Sequence, residues 1–270
     1  MEARVVGVDV GSVALGRFAW AALDAPEQAL VGQGADPESA VRAVIARLAS
    51  GGRAALVLEA PMSVPVPATD SADAWELLGR ARTGEGNRPW SAGAGAGVLA
   101  TGVAQAAWMT ARITELLPGT TATTRPDRWA APHGPRLLLA EALVSGAGKP
   151  VPTAAGPHAA DAEAAARALV ERLPNVPIPS EPTAAGPHAV DAEAAARALA
   201  ERLPNVPIPS DVRCAPHRPL NLLAACALWA GLRTPPDELR SDVLVLRARP
   251  ARAVPGPGDE GASGGGGGER

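Results

Sequence analysis

The chain predicts an α/β fold on a mixed sheet, and three observations carry the prediction. Short apolar runs at residues 4–9, 16–23 and 54–58 alternate with longer stretches of helical periodicity. The first two runs are neighbours joined through Gly11 and Ser12, as in a hairpin, whereas the third follows a helical stretch, as in a crossover. Two of these runs also end in a carboxylate, Asp9 and Glu59, so chemistry is expected at that end of the sheet.

The elements follow in order. Arg4 to Asp9 is rich in β-branched residues and forms the first strand, and a third strand is expected near residues 29–32. Asp36-Pro37-Glu38 opens a helix with an acid at the cap and proline in the first turn, and Val41, Val44, Ile45 and Leu48 share its apolar face. Residues 54–58 are wholly apolar, as suits a strand buried on both faces. Residues 61–89 read as a long loop with one helical turn, and residues 93–117 as a helix. A further apolar strand at 136–140 runs into a third acid, Glu141. The expected sheet has five strands, with the first three antiparallel, the strands of Val5 and Ala54 paired in parallel, and helices on both faces. Residues 221–232 are read as a last apolar helix and residues 242–246 as a last strand.

A tandem duplication interrupts this pattern. Residues 152–181 recur as 182–211 with three changes, and each copy reads as loop, helix, loop. Two copies are too few for a solenoid, so the duplication is expected inside one domain of residues 1–249. Each copy carries a His-x-x-Asp pair, His158 with Asp161 and His188 with Asp191, one turn apart on a helix. The shorter link from the preceding strand favours Asp161 as the working copy. Residues 250–270 lack periodicity, include five consecutive glycines, and are expected to be a disordered tail.

Composition narrows the function. A net charge of −3 gives no general attraction to nucleic acid or anionic lipid, so a polyanion would need a local arginine patch or metal ions. Two cysteines twelve apart do not suggest a disulfide framework or a zinc site. With neither a signal pattern nor an apolar run of membrane length, a cytoplasmic location with no membrane partner is expected. Only one of the 25 basic residues, Lys149, is lysine. The Gly-rich run from Gly84 to Gly97 lacks the Gly-Lys-Ser/Thr ending of a P-loop, and Arg88 and Trp90 within it are read as substrate-side contacts.

Asp9 with Gly11, Ser12 and Gly16, an acid ending the fourth strand at Glu59, and His158-x-x-Asp161-Ala162 at a late helix together resemble the RNase H-like superfamily. The His-x-x-Asp form is similar to that of Holliday-junction resolvase-type members. The string from Glu141 to Gly146 also resembles an uncharacterised bacterial family of predicted RNase H-like nucleases. The resemblance implies a nuclease with two divalent ions, Mg²⁺ or Mn²⁺, at the scissile phosphate of a nucleic acid. It implies Asp9 as bridging ligand, Glu59 and Asp161 as further ligands, and His158 as ligand or proton carrier. Glu141 is an auxiliary acid outside that pattern.

Two other classes stay open. A catalytically inert RNase H-like module would bind or regulate a partner. A phosphotransfer enzyme of the actin and sugar-kinase type is suggested by Asp9-Val10-Gly11-Ser12, but it calls for a second phosphate loop that the sequence does not offer. The plain structural readings also stand: Asp9 as a turn cap, Glu59 as a solvated strand end, and Asp161 as an acid in the first turn of a helix.

Overall fold

The computed structural model of the chain describes residues 2–76, 78–86, 90–145, 148–173 and 208–250. Within them the fold is α/β, with six helices and a mixed seven-stranded sheet. β1 (Ala3–Asp9), β2 (Ala19–Ala25) and β3 (Ala29–Gly34) form an antiparallel meander. After α1 (Pro37–Ala49), β4 (Arg53–Glu59) returns parallel to β1. β5 (Ser63–Val66), α2 (Ala72–Glu76), α3 (Gly93–Leu116), β6 (Ala122–Thr123) and α4 (Pro126–Ala130) precede β7 (Leu137–Leu143). Then come α5 (Pro157–Val170), β8 (Arg218–Asn221), α6 (Leu222–Trp229), a 3-10 turn (Pro236–Arg240) and β9 (Val245–Arg247).

The expected hairpins and the β1–β4 parallel pair are present, and so are helices on both faces. The sheet is wider than the five strands expected. Its order is β3-β2-β1-β4-β7, and two short strands share the outer edge of β7. β6 pairs with Leu137 and Leu138 at the start of β7, and β9 with Glu141 to Leu143 at its end. β9 is the last strand expected at 242–246, whereas the two-residue β6 is below the length at which alternation is visible in a sequence. The same holds for β5 and β8, which carry Pro65 and Pro219 and pair in a separate two-stranded sheet.

Strand alternation divides the core into two layers. Val6, Val8, Leu56, Leu58, Leu137 and Leu139 face α1 and α3, packing on Val41, Val44, Met109 and Ile113. Val5, Ala55, Val57, Leu138 and Ala140 face α5, packing on Ala165, Ala166 and Leu169. The first layer is held by a well-capped helix: the Asp36 carboxylate accepts the Ser39 amide at 2.8 Å, as its position before Pro37 predicts.

In the second layer α5 comes close to β1 where small residues face each other. A Cβ added at Gly7 would meet the Ala162 carbonyl oxygen and lie 2.6 Å from the Ala166 amide nitrogen. Glycine in β1 and alanine in α5 therefore let the helix backbone rest on the strand. Residues 182–207 of the second repeat copy, with its expected helix at 189–203, and the tail at 251–270 lie outside the described residues.

Gly7→Ala should lower stability by about 1–3 kcal/mol in urea unfolding, because strand and helix backbone must separate. Gly97→Ala is the control. Its added Cβ meets open space on α3, so helix propensity should make it neutral or stabilising by up to about 1 kcal/mol.

Candidate metal centre

β1 and β4 run parallel in a register that sets Asp9 opposite Glu59, the last residue of each strand. Equal register in adjacent parallel strands puts both side chains on one face, the face that carries α5. Asp161 lies in the second turn of that helix, buried. One carboxylate oxygen from each of Asp9, Glu59 and Asp161 falls within 4.8 Å of the other two. Three acids from three elements thus converge as the sequence predicted. A donor set of carboxylate oxygens is one that could bind a metal ion.

Two nitrogen groups border the triad. His158, in the first turn of α5, places Nδ1 2.6 Å from Asp9 Oδ2. With Asp9 ionised, Nδ1–H is the donor. Lys149, on the link between β7 and α5, donates from Nζ to Asp161 Oδ2 at 2.9 Å. Its side chain is 53% exposed, against 7% for Asp161.

The electrostatics follow from this packing. Burial pushes the Asp9 carboxyl above its ordinary range; the hydrogen bond and charge of His158 act against that, and the Asp161 charge adds to it. The hydrogen bond to Asp161 raises the Lys149 ammonium; partial burial opposes it, while the charges of Asp161, Glu59 and Asp9 reinforce it.

Glu141 does not join the cluster, and register explains why. It pairs with Leu58, one residue short of Glu59, and so points to the opposite face of the sheet. There its carboxylate receives Arg82 Nη1 at 2.9 Å, Arg82 Nη2 at 2.5 Å and the Met62 amide at 2.8 Å. Arg82 also pairs with Glu85 at 3.1 Å, and all three side chains are about 1% exposed. The strand continues to Leu143, so Glu141 is not the strand-end acid that the sequence suggested. It is half of a buried ion pair.

A cleft of about 450 Å³ opens between the strand ends and α3, lined by Glu59, Pro61, Glu85, Val98, Glu141 and Leu143 among others, so of the three acids Glu59 alone lines it. Trp90 sits half-buried in the turn before α3, and its indole nitrogen has no hydrogen-bond partner among the described residues. Arg88, His188 and Asp191 lie outside the described residues. The sequence reading missed the roles of Gly7, Lys149 and Arg82. For Lys149 a signal existed, since a lone lysine in an arginine-rich chain invites a question about its position.

Arg82→Met should cost about 3–5 kcal/mol, measured by denaturant unfolding, because it leaves Glu141 and Glu85 buried without their cation. Asp9→Asn should behave in the opposite way in chelator. A carboxyl whose pKa is raised on folding destabilises the native state once ionised. The variant should therefore melt at or above the wild-type temperature at pH 7. That advantage should shrink as pH falls through the raised native value and vanish below the ordinary 3.8, where Asp9 is protonated in both states.

Compared with protein-family models, with curated proteins and with solved structures, the chain matches none.

Proposed function

We propose that the protein is a divalent-metal-dependent phosphodiester hydrolase, a nuclease with an RNase H-like architecture. The single observation that carries the reading is the convergence of Asp9, Glu59 and Asp161 at one end of the sheet. Two supports accompany it. The sheet order β3-β2-β1-β4, with β4 parallel to β1, is the one expected from the order of strands and helices in the sequence, and it brings the ends of β1 and β4 together. The cleft that Glu59 lines, together with Glu85 and Glu141, offers room for a substrate group beside one of the three acids.

The donor set suits Mg²⁺ or Mn²⁺, hard ions that prefer oxygen ligands. When bound, such an ion polarises a phosphoryl oxygen and makes its water a better nucleophile. The protein's own groups do the rest. Asp9 and Glu59 are fixed by the β1–β4 register, so neither has to reorganise to bind. Asp161 is brought over them by the close seat of α5 on Gly7. His158 holds Asp9 through Nδ1, which leaves Nε2 as the ring atom that exchanges a proton with the reacting oxygens. Trp90, at the start of α3, is the aromatic surface on which a base could stack. With a net charge of −3, nucleic acid would be held by such local contacts and not by the whole surface.

A catalytically inert binding or regulatory module is the second reading. The observation that favours it is that His158 and Lys149 already contact two of the three acids.

The test is cleavage of branched, single-stranded and RNA–DNA hybrid substrates with Mg²⁺ or Mn²⁺, with chelator as control. Asp9→Asn should reduce cleavage by 10³-fold or more, on the order expected when a metal ligand loses its charge, while the fold persists. Asp161→Asn should be similarly inactive. Asp191→Asn should retain activity if the first repeat copy fills the site. Absence of metal-dependent cleavage in the wild-type protein on every substrate would favour the inert module.

A further inference from the structure

The oxygens of the triad are not equally available. Asp9 Oδ2 already holds His158 Nδ1 at 2.6 Å, and Asp161 Oδ2 already holds Lys149 Nζ at 2.9 Å. A pair of ions needs a carboxylate that turns one oxygen to each, together with further ligands on both sides. Here the second oxygen of Asp9 and of Asp161 each faces a nitrogen donor. Glu141, the auxiliary acid of the sequence reading, is on the other face of the sheet and bound to Arg82.

We infer that the triad takes a single divalent cation, with the Lys149 ammonium as the resident second positive charge of the site. The inference rests on reading the triad as a metal centre and adds its stoichiometry and the role of Lys149. The residue type fits the role. An ammonium is a compact point charge with three donors, whereas guanidinium is a planar fork that spreads its charge. In a chain where 24 of 25 basic residues are arginine, the one lysine stands against these acids. Its half-exposed stem lets the ammonium contact Asp161 on one side and remain open to an anionic group in solvent on the other. Lys149 is a positioning residue in this account: it acts by filling the place and supplying the charge of a second ion.

The experiment is isothermal titration of the chelator-stripped full chain with Mn²⁺, supported by counting bound Mn²⁺ after dialysis. One Mn²⁺ per chain, lost in Asp9→Asn, is expected, and this count needs no variant at Lys149. Lys149→Met, which keeps the length of the stem and removes the charge, should bind Mn²⁺ about tenfold tighter or more, because a like charge a few ångströms away is gone. Lys149→Arg should still bind one ion without that gain. Two Mn²⁺ per wild-type chain, both lost in Asp9→Asn, would overturn the inference and leave the metal centre standing. Unchanged or weaker binding by Lys149→Met, with a wild-type circular dichroism spectrum, would overturn it as well. No Asp9-dependent Mn²⁺ at all would overturn the metal centre itself.

Discussion

The site depends on one constraint, the parallel register that sets Asp9 beside Glu59 at the ends of β1 and β4. A shift of one residue in either strand would send one of the two carboxylates to the other face, because side chains alternate along a strand. Glu141 shows the effect within the same sheet: it lies one residue short of that level and is turned away. The register is held on both faces by buried apolar residues. Val6, Val8, Leu56 and Leu58 pack on one side and Val5, Ala55 and Val57 on the other, so a slip would move side chains into the wrong layer and break the packing of both.

Asp161 reaches the pair through a second constraint, the close approach of α5 to the sheet. Glycine at position 7 and alanines at 162 and 166 remove the side chains that would hold strand and helix apart. The alanine richness of the helix, which reads at first as compositional bias, is what its position over β1 requires. The helix then delivers His158 and Asp161 from successive turns to the same end of the sheet.

Buried acids on the two faces are stabilised in different ways. Glu141 is neutralised by Arg82 inside the protein and also accepts the Met62 amide, an arrangement complete in itself. In the triad Asp9 is met by His158 and Asp161 by Lys149, and both of those partners are partly exposed. The first arrangement is closed by a buried arginine, and the second is bordered by side chains open to solvent.

Much of this was legible in the sequence because it depends on local rules. The strands of Asp9 and Glu59, the Asp36 cap and the helix of His158 and Asp161 follow from alternation, capping residues and periodicity. What failed depends on partners distant in sequence. Whether Glu141 faces the site is a matter of parity in the β4–β7 register, and its partner Arg82 lies in a stretch read as loop. Gly7 and Ala162 are 155 residues apart, so their close contact has no local signature. The short strands β5, β6 and β8 exist because a neighbouring strand pairs with them, not because of their own pattern.

The central claim is that the three acids form one cation site, and anomalous diffraction from crystals soaked in Mn²⁺ tests it most directly. The account predicts one anomalous peak at about 2–2.4 Å from oxygens of Asp9, Glu59 and Asp161, with the Lys149 ammonium beside it. A Mn²⁺-soaked crystal with no peak between these carboxylates, or with its strongest peak elsewhere on the protein, would contradict it.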